Sequence, residues 1–372
     1  MKQLYLIFAS SLFIACSQNL KEASQNQMLS LTFELDTVMV DAGEDFISLQ
    51  NWLQISDLSI DRDLLYNYNN TENRIEVISL EELKLTEKIY FDKEGPNGTG
   101  RVMGFHNIND HTFYIKGLFS LEVFSKEAKR LSQFKFTALK AGILEDKDNF
   151  YNLDDGVFNS EKSTYFGFYN NGKDIFKGLA ILDLQKGSLK KVPIPELEEL
   201  DKFRVKFETG GVSFGAIHFL SYHKGKILVS NSAKNELLIY DLNGDRTSHI
   251  SFTSHITPNA QQEVKMKNYD SQEAYDKAYK ENDWEIKFGH WVWDPKSESF
   301  YRLSKQLFSV SENEKEYKTV LTIFDKNFIQ LYEGIIPLKK SYHKMFFRKG
   351  KLYLFENIND ELAFIVLTLK EN

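Results

Sequence analysis

The chain has 372 residues, of which 42% are hydrophobic and 14% aromatic, with 30 Phe and 18 Tyr. Such a supply of apolar and aromatic side chains suits a large, sheet-rich core. With 46 basic against 53 acidic residues the formal charge is −7, which excludes a general nucleic-acid binder built on a basic face. Six Pro and 20 Gly exclude collagen-like and Pro-rich disordered chains.

The N-terminal region reads as an address followed by a tether. Lys2 supplies a short positive start, and residues 4–15 form an uncharged, mostly apolar run. That run is too short for a transmembrane helix, which takes about 20 residues, and suits the apolar region of a secretory signal. Ala15 is small, as a cleavage site requires, and the next residue is Cys16, the single cysteine of the chain. A disulfide-stapled exported domain would carry an even number of cysteines. The stretch Leu12-Phe13-Ile14-Ala15-Cys16 resembles a bacterial lipobox, with Phe13 where Leu is usual. The resemblance implies a lipoprotein signal peptide over residues 1–15 and lipidation of Cys16. Residues 16–29 are polar and read as the lipidated tether. Ser17-Gln18-Asn19 carries no acidic cluster, which leans towards a periplasm-facing protein on the outer membrane rather than a surface-exposed one.

Residues 30–372 read as one repetitive β domain. Short runs of Val, Ile, Leu, Phe and Tyr alternate with Asn, Asp, Gly and Lys turns. Three segments align without gaps: residues 64–80 (LLYNYNNTENRIEVISL), 226–242 (KILVSNSAKNELLIYDL) and 351–367 (KLYLFENINDELAFIVL). Each is an apolar strand, a polar turn and a second apolar strand. Looser copies occupy 112–125, 163–184 and 299–325. Six units of about 57 residues result, longer than the 40–45 of a compact propeller blade, and insertions account for the excess. The clearest insertion is 254–287, where residues 271–282 (SQEAYDKAYKEN) carry an amphipathic helical pattern.

The expected fold is therefore all-β: a six-bladed β-propeller of four-stranded antiparallel blades with a short helical insertion in blade five. Residues 217–222, 226–231, 236–242 and 247–252 serve as a typical blade. The last unit ends near its third strand. The strand-like residues 28–40 are expected to supply its outer strand and close the ring, since closure removes exposed edges.

With a lipobox, six degenerate blades and Glu94-Gly95-Pro96-Asn97-Gly98 between the first two, the chain resembles the TolB-like six-bladed propeller lipoproteins of Bacteroidota, a domain-of-unknown-function family. The resemblance implies fold and location and carries no catalytic residues.

Chemistry-bearing residues are sparse, and each has a structural reading beside it. His218 and His343 each stand seven residues before the Gly of a Lys-Gly turn, Gly225 and Gly350. His290 and His106 fall near the corresponding point of units five and two, and Ser56 takes it in unit one. First strands line a propeller channel, so His218, His290 and His343 are the candidate ligands of a divalent metal, with Glu208 as a further carboxylate. The alternative is histidines packed between blades. Trp284, His290, Trp291 and Trp293 could form a stacking platform for a ligand. Alternation also allows Trp291 and Trp293 to pack on the next blade. The Gly-rich 208–215 lacks phosphate-loop spacing and reads as an inter-blade turn, with no nucleophile-elbow context for Ser213. Residues 196–202 read as a solvated acidic loop, and Asp41, Glu44 and Asp45 as surface charges.

No resident cofactor is expected. The function these residues favour is a membrane-anchored binding or scaffold module of the envelope for a glycan, peptide or protein partner. The alternative is a propeller enzyme, a metal-assisted hydrolase or lyase with its site at the channel mouth. A scaffold would show a large exposed apolar patch around residues 284–293.

Overall fold

The computed structural model describes residues 31–118, 120–136, 156–159, 163–170, 175–311, 315–340, 342 and 344–371. Cys16 and His343 lie outside the described residues, as do the signal and tether segments. The described strands form seven sheets, six of four strands and one of three.

The four-stranded sheets follow one another along the chain. Sheet I holds Ser56–Leu58, Leu64–Asn69, Arg74–Ser79 and Lys84–Tyr90. Sheet II holds Gly104–Asn109, Thr112–Lys116, Ser120–Ser125 and Arg130–Lys135. Sheet III holds Val157–Asn159, Thr164–Asn170, Phe176–Asp183 and Ser188–Pro193. Sheet IV holds His218–His223, Lys226–Asn231, Glu236–Asp241 and Arg246–Ser251. Sheet V holds Lys287–Asp294, Ser299–Val310, Lys315–Asp325 and Gln330–Ile336. Sheet VI holds Met345–Arg348, Lys351–Ile358 and Glu361–Glu371, with Leu31–Met39 as its outer strand.

Turn chemistry sets several of these hairpins. Lys224-Gly225, Lys349-Gly350 and Asn359-Asp360 each have positive φ at both residues, the conformation of the two-residue turn whose twist matches antiparallel strands. The segments that align in the sequence are the second and third strands of sheets I, IV and VI. These strands are buried on both faces, so they read as unbroken apolar runs instead of alternating ones.

Alternation then sends successive side chains to opposite neighbours. In sheet I, Leu65 and Ile78 meet Phe346 and Phe364 of sheet VI, while Tyr66 and Val77 meet Phe105 and Phe113 of sheet II. Tyr114 and Leu121 of sheet II meet Tyr165 and Leu182 of sheet III. Phe166 and Phe168 meet Ile227 and Val229 of sheet IV. Leu228 and Leu237 meet Trp291 and Phe324 of sheet V, and Tyr301 and Leu321 meet Phe347 and Leu354 of sheet VI. The packing runs through the four-stranded sheets in chain order and returns to its start. First strands adjoin first strands, and the fourth strands of sheets I, II and IV are mostly exposed. The architecture is a β-propeller with first strands innermost. Each large apolar side chain at these seams contributes about 1.5–3 kcal/mol.

The N-terminal strand does lie where closure requires it. Leu31–Met39 pairs antiparallel with Glu361–Glu371, from Leu31 opposite Glu371 to Met39 opposite Ala363. The chain then crosses to sheet I, where the fully buried Glu76 accepts from Ser48 N, Asn67 Nδ2 and Asn69 Nδ2, each at 2.9 Å, and from Arg74 Nη2 at 3.0 Å.

Beside the six four-stranded sheets the described residues hold a seventh that the sequence did not announce: Val205–Phe207, Val212–Phe214 and Asn268–Tyr269 form a small sheet of their own. Two further expectations are corrected. The Gly-rich segment is the turn and return strand of that sheet's hairpin, with Gly211 at φ 64°, and not a turn between blades. The acidic 196–202 stretch is helical. It comprises α1 (Pro195–Glu198) and a 3-10 turn (Glu199–Phe203), and it buries Leu197, Leu200 and Phe203 against sheets III and IV. The expected amphipathic helix is α2 (Gln272–Asn282), its N-terminus capped by Ser271 Oγ accepting from Ala274 N at 3.2 Å. Tyr275 holds α2 on the small sheet through Phe207 and Phe214, each with ring centroids 5.5 Å away.

Trp291 is core. It is 5% exposed, and its ring lies 4.2 Å from that of Phe324. The reason is Arg302, a buried cation between sheets IV and V. Its guanidinium faces Phe288 at 5.0 Å and Trp291 and Phe324 at 5.4 Å. Its Nη2 donates to Asn235 Oδ1 at 2.6 Å. Burial pulls its pKa down to about 9, with Glu333 opposing; the aromatic faces replace part of the lost hydration. Arg302→Ala leaves a cavity and an orphaned acceptor and is expected to cost about 3–5 kcal/mol in urea denaturation. Arg302→Met leaves the same acceptor unpaired but keeps most of the volume and is expected to cost about 1–3 kcal/mol, less than Arg302→Ala; equal losses for the two variants would contradict this account of the cluster.

Candidate functional site

The first strands carry the side chains that meet inside the ring. In sheet V a β-bulge falls between Phe288 and Trp291. A Cβ on Gly289 would sit 2.4 Å from the Leu303 carbonyl oxygen, so only glycine fits the bulge. The extra residue lets Phe288 and Trp291 both face Arg302 and leaves His290 on a cavity wall.

That cavity, of about 220 Å³, lies where sheets V, VI and I meet. His290 and Trp293 come from sheet V, Met345 from sheet VI and Lys344 from just before that strand, while Asp57 and Arg62 come from sheet I and its first hairpin. Asp57 and Lys344 reach the cavity surface and are still enclosed by protein on their other sides, which is how a wall residue combines accessibility with desolvation.

The charges are only partly committed to one another. Asp57 Oδ1 accepts from Leu58 N at 2.9 Å and Oδ2 from Asn107 N at 3.0 Å, with His106 Nδ1 3.6 Å away. Against the opposing cost of burial, the His106 contact leads in holding its carboxyl below the usual range, followed by Lys344. Lys344 Nζ donates to Ser56 O at 2.7 Å, and burial pulls its pKa down while Asp57 opposes. Arg62 Nη1 donates to Phe347 O at 2.8 Å. His290 has no hydrogen-bond partner among the described residues; burial, then Lys344, pulls it down to about 4, so it is neutral at pH 7.

The histidines singled out in the sequence are dispersed. His218 lines a second cavity of about 240 Å³, with Arg204, Phe176 and Ser213. Its ring sits edge-on to Phe176 at 4.7 Å, and its Nε2 is enclosed without a partner among the described residues. His218 and His290 therefore face different cavities. No three His, Cys, Asp or Glu side chains among the described residues are grouped to hold a metal, and Glu208 lines neither cavity. Of the residues read as a stacking platform, His290, Trp291 and Trp293 line the first cavity together and Trp284 does not. Trp291 is mostly in the core, Trp293 packs on His223 with ring centroids 4.3 Å apart, and Trp284 is 49% exposed beyond α2.

Asp57, Arg62 and Lys344 escaped the sequence reading. The hairpin after Leu58 is longer than a Lys-Gly turn, so Ser56, opposite Asn67, stands at the level of Leu220 opposite Val229, not of His218 opposite Asn231. Counting cross-strand pairs instead of residues would have moved the search away from Ser56.

Acidification tests the buried imidazoles. Burial comes first in pulling His218 and His223 down to about 4, followed by Arg204 for His218 and by Lys224 and Lys226 for His223. With His290 they titrate in the folded state below the unfolded value of about 6.5. Between these values the unfolded chain binds more protons, so the stability they confer is full above about pH 6.5 and is lost as pH falls towards about 4. Tm should fall from about pH 7 to about pH 4.5 and fall less with all three replaced by Gln. A Tm that holds or rises on acidification would contradict this.

Comparison with known proteins places this architecture. The sequence matches a domain of unknown function, DUF4221, over residues 28–335. A search of curated proteins finds no match. The crystal structure of a DUF4221 member from Bacteroides vulgatus aligns with a TM-score of 0.66 at 16% identity, over 94% of this chain and all of that one. A Bacteroides fragilis protein described as exported aligns with a TM-score of 0.54 at 9% identity, over 94% of this chain and 97% of that one. The match spans most of the chain and includes five of the four-stranded sheets, so the chain belongs to the DUF4221 family.

Proposed function

We propose that this protein is an envelope lipoprotein whose propeller is a rigid, non-enzymatic binding module. In this reading residues 1–15 are removed, Cys16 is acylated, and residues 16–29 hold the domain near the outer membrane on the periplasmic side. The six four-stranded sheets are six blades, and the small sheet with α2 is an insertion beside blades four and five. Support for the location comes from the lipobox-like run ending at Cys16 and from the similarity to a Bacteroides fragilis protein described as exported. No helix among the described residues is long and apolar enough to cross a membrane, so in this reading attachment falls to the lipid, and more than one acyl chain is needed for stable anchoring.

The observation that carries the binding role is the cavity of about 220 Å³ where three blades meet, walled by His290, Lys344 and Trp293. A stiff scaffold with polar groups aimed into a preformed cavity is the arrangement of a ligand site. Metal-assisted chemistry is disfavoured because His218 and His290 face different cavities.

Membrane fractionation of cells expressing Cys16→Ser, with mass analysis of the mature N-terminus, tests the location. The wild type should begin at Cys16 carrying diacylglycerol and sediment with membranes, and the variant should lose the lipid while keeping its Tm. A mature wild-type protein starting at another residue without lipid contradicts the reading.

A further inference from the structure

We propose that the cavity at the junction of sheets V, VI and I is a receptor for a small monocarboxylate, its carboxylate held by the Lys344 ammonium and the His290 ring N–H. This inference rests on the binding-module reading and specifies the ligand class of that same site.

Both Asp57 oxygens accept backbone N–H groups, from Leu58 and Asn107, and the His106 ring stands beside Oδ2. Asp57 is thereby committed to joining sheets I and II. Arg62 is directed to the Phe347 carbonyl. What sets Lys344 apart is its place beside His290: among the described residues its ammonium makes one hydrogen bond, to Ser56 O, and an ammonium has three protons to donate. His290, on the same wall, has neither ring nitrogen bonded among the described residues. A neutral imidazole offers one N–H donor and one acceptor. Both groups line the cavity, and an oxyanion there would accept from both in charge-assisted hydrogen bonds.

Charge and size narrow the class. Around the cavity Lys344 and Arg62 are positive, and Asp57 and Asp294 are the carboxylates that interact with them. These charges balance, so a dianion such as phosphate would meet Asp57 without a matching surplus of positive charge. A monoanion is matched by one cation, and Lys344 has protons beyond its bond to Ser56 O and stands beside His290. The volume of about 220 Å³ is below the roughly 300–1,000 Å³ of sites for drug-sized ligands, which favours a ligand of few atoms. Leu58, Val292, Met345 and Phe346 supply an apolar wall for the remainder of such a molecule.

Calorimetric titration of the full chain in detergent tests this, with acetate, lactate, inorganic phosphate and N-acetylglucosamine as probes. At least one carboxylate should bind, and more tightly than phosphate. Lys344→Met should weaken it at least tenfold and His290→Phe several-fold, with Lys344→Arg restoring part of the loss and Trp284→Ala leaving it unchanged. Tm measured for each variant separates lost binding from lost folding. If Lys344→Met does not fold, protection of Lys344 from acetylation by the bound carboxylate in the wild type takes its place, and failure of protection overturns the proposal. Carboxylate binding that is indifferent to Lys344→Met overturns it, as does tighter binding of phosphate. Binding of the neutral sugar alone overturns it while leaving the binding-module reading intact. Heat from none of the four probes overturns the carboxylate proposal and leaves the reading to larger ligands.

Discussion

A ring of sheets that buries both faces of every blade has no stable open form. Here the seam is held by strand pairing between the two ends of the described chain, Leu31–Met39 against Glu361–Glu371. Without that pairing the third strand of sheet VI would present an edge of unmet N–H and C=O groups. Phe346, Phe355 and Phe364 would lose the cover they share with Leu65 and Ile78. The seam is also crossed by polar side chains: Arg62 reaches the Phe347 carbonyl, Arg348 pairs with Asp63 at 2.7 Å, and Lys344 reaches Ser56 O.

Two of those crossings, Arg62 to Phe347 and Lys344 to Ser56, start from residues that line the candidate site. Asp57 and Arg62 come from one side of the closure and Lys344 from the other, with His290 contributed by sheet V. Architecture and chemistry are therefore linked at one place. The closed ring brings these charged groups to one cavity, and the bulge at Gly289 brings the imidazole to the third wall. Elsewhere the ring is held by aromatic packing. Around Arg302 a buried cation is accommodated by aromatic faces and one amide, so most of the Trp291 ring meets the interior.

The repeated pair of strands was legible because burial on both faces demands apolar residues at nearly every position. Residues 64–80, 226–242 and 351–367 therefore kept a common pattern without gaps. The closing strand was legible from the incomplete last unit. The small sheet was not: Val205–Phe207 and Val212–Phe214 are three residues each, too short to carry a period, and Asn268–Tyr269 joins them from beyond sheet IV. The helical turn at Pro195 was masked by its acidic residues, although Leu197, Leu200 and Phe203 have helical spacing. The site was least legible of all. Asp57 and Lys344 are 287 positions apart in sequence, and only ring closure makes them neighbours.

Native-state hydrogen exchange of the amides in residues 32–38 measures the closure directly. If the seam is an integral part of the ring, the amides bonded to Glu361–Glu371 open only with global unfolding, and their exchange free energy matches that of the central strands of sheets I and VI. Exchange of these amides at a much lower free energy, with the central strands still protected, would show the ring standing without its seam and would contradict the account.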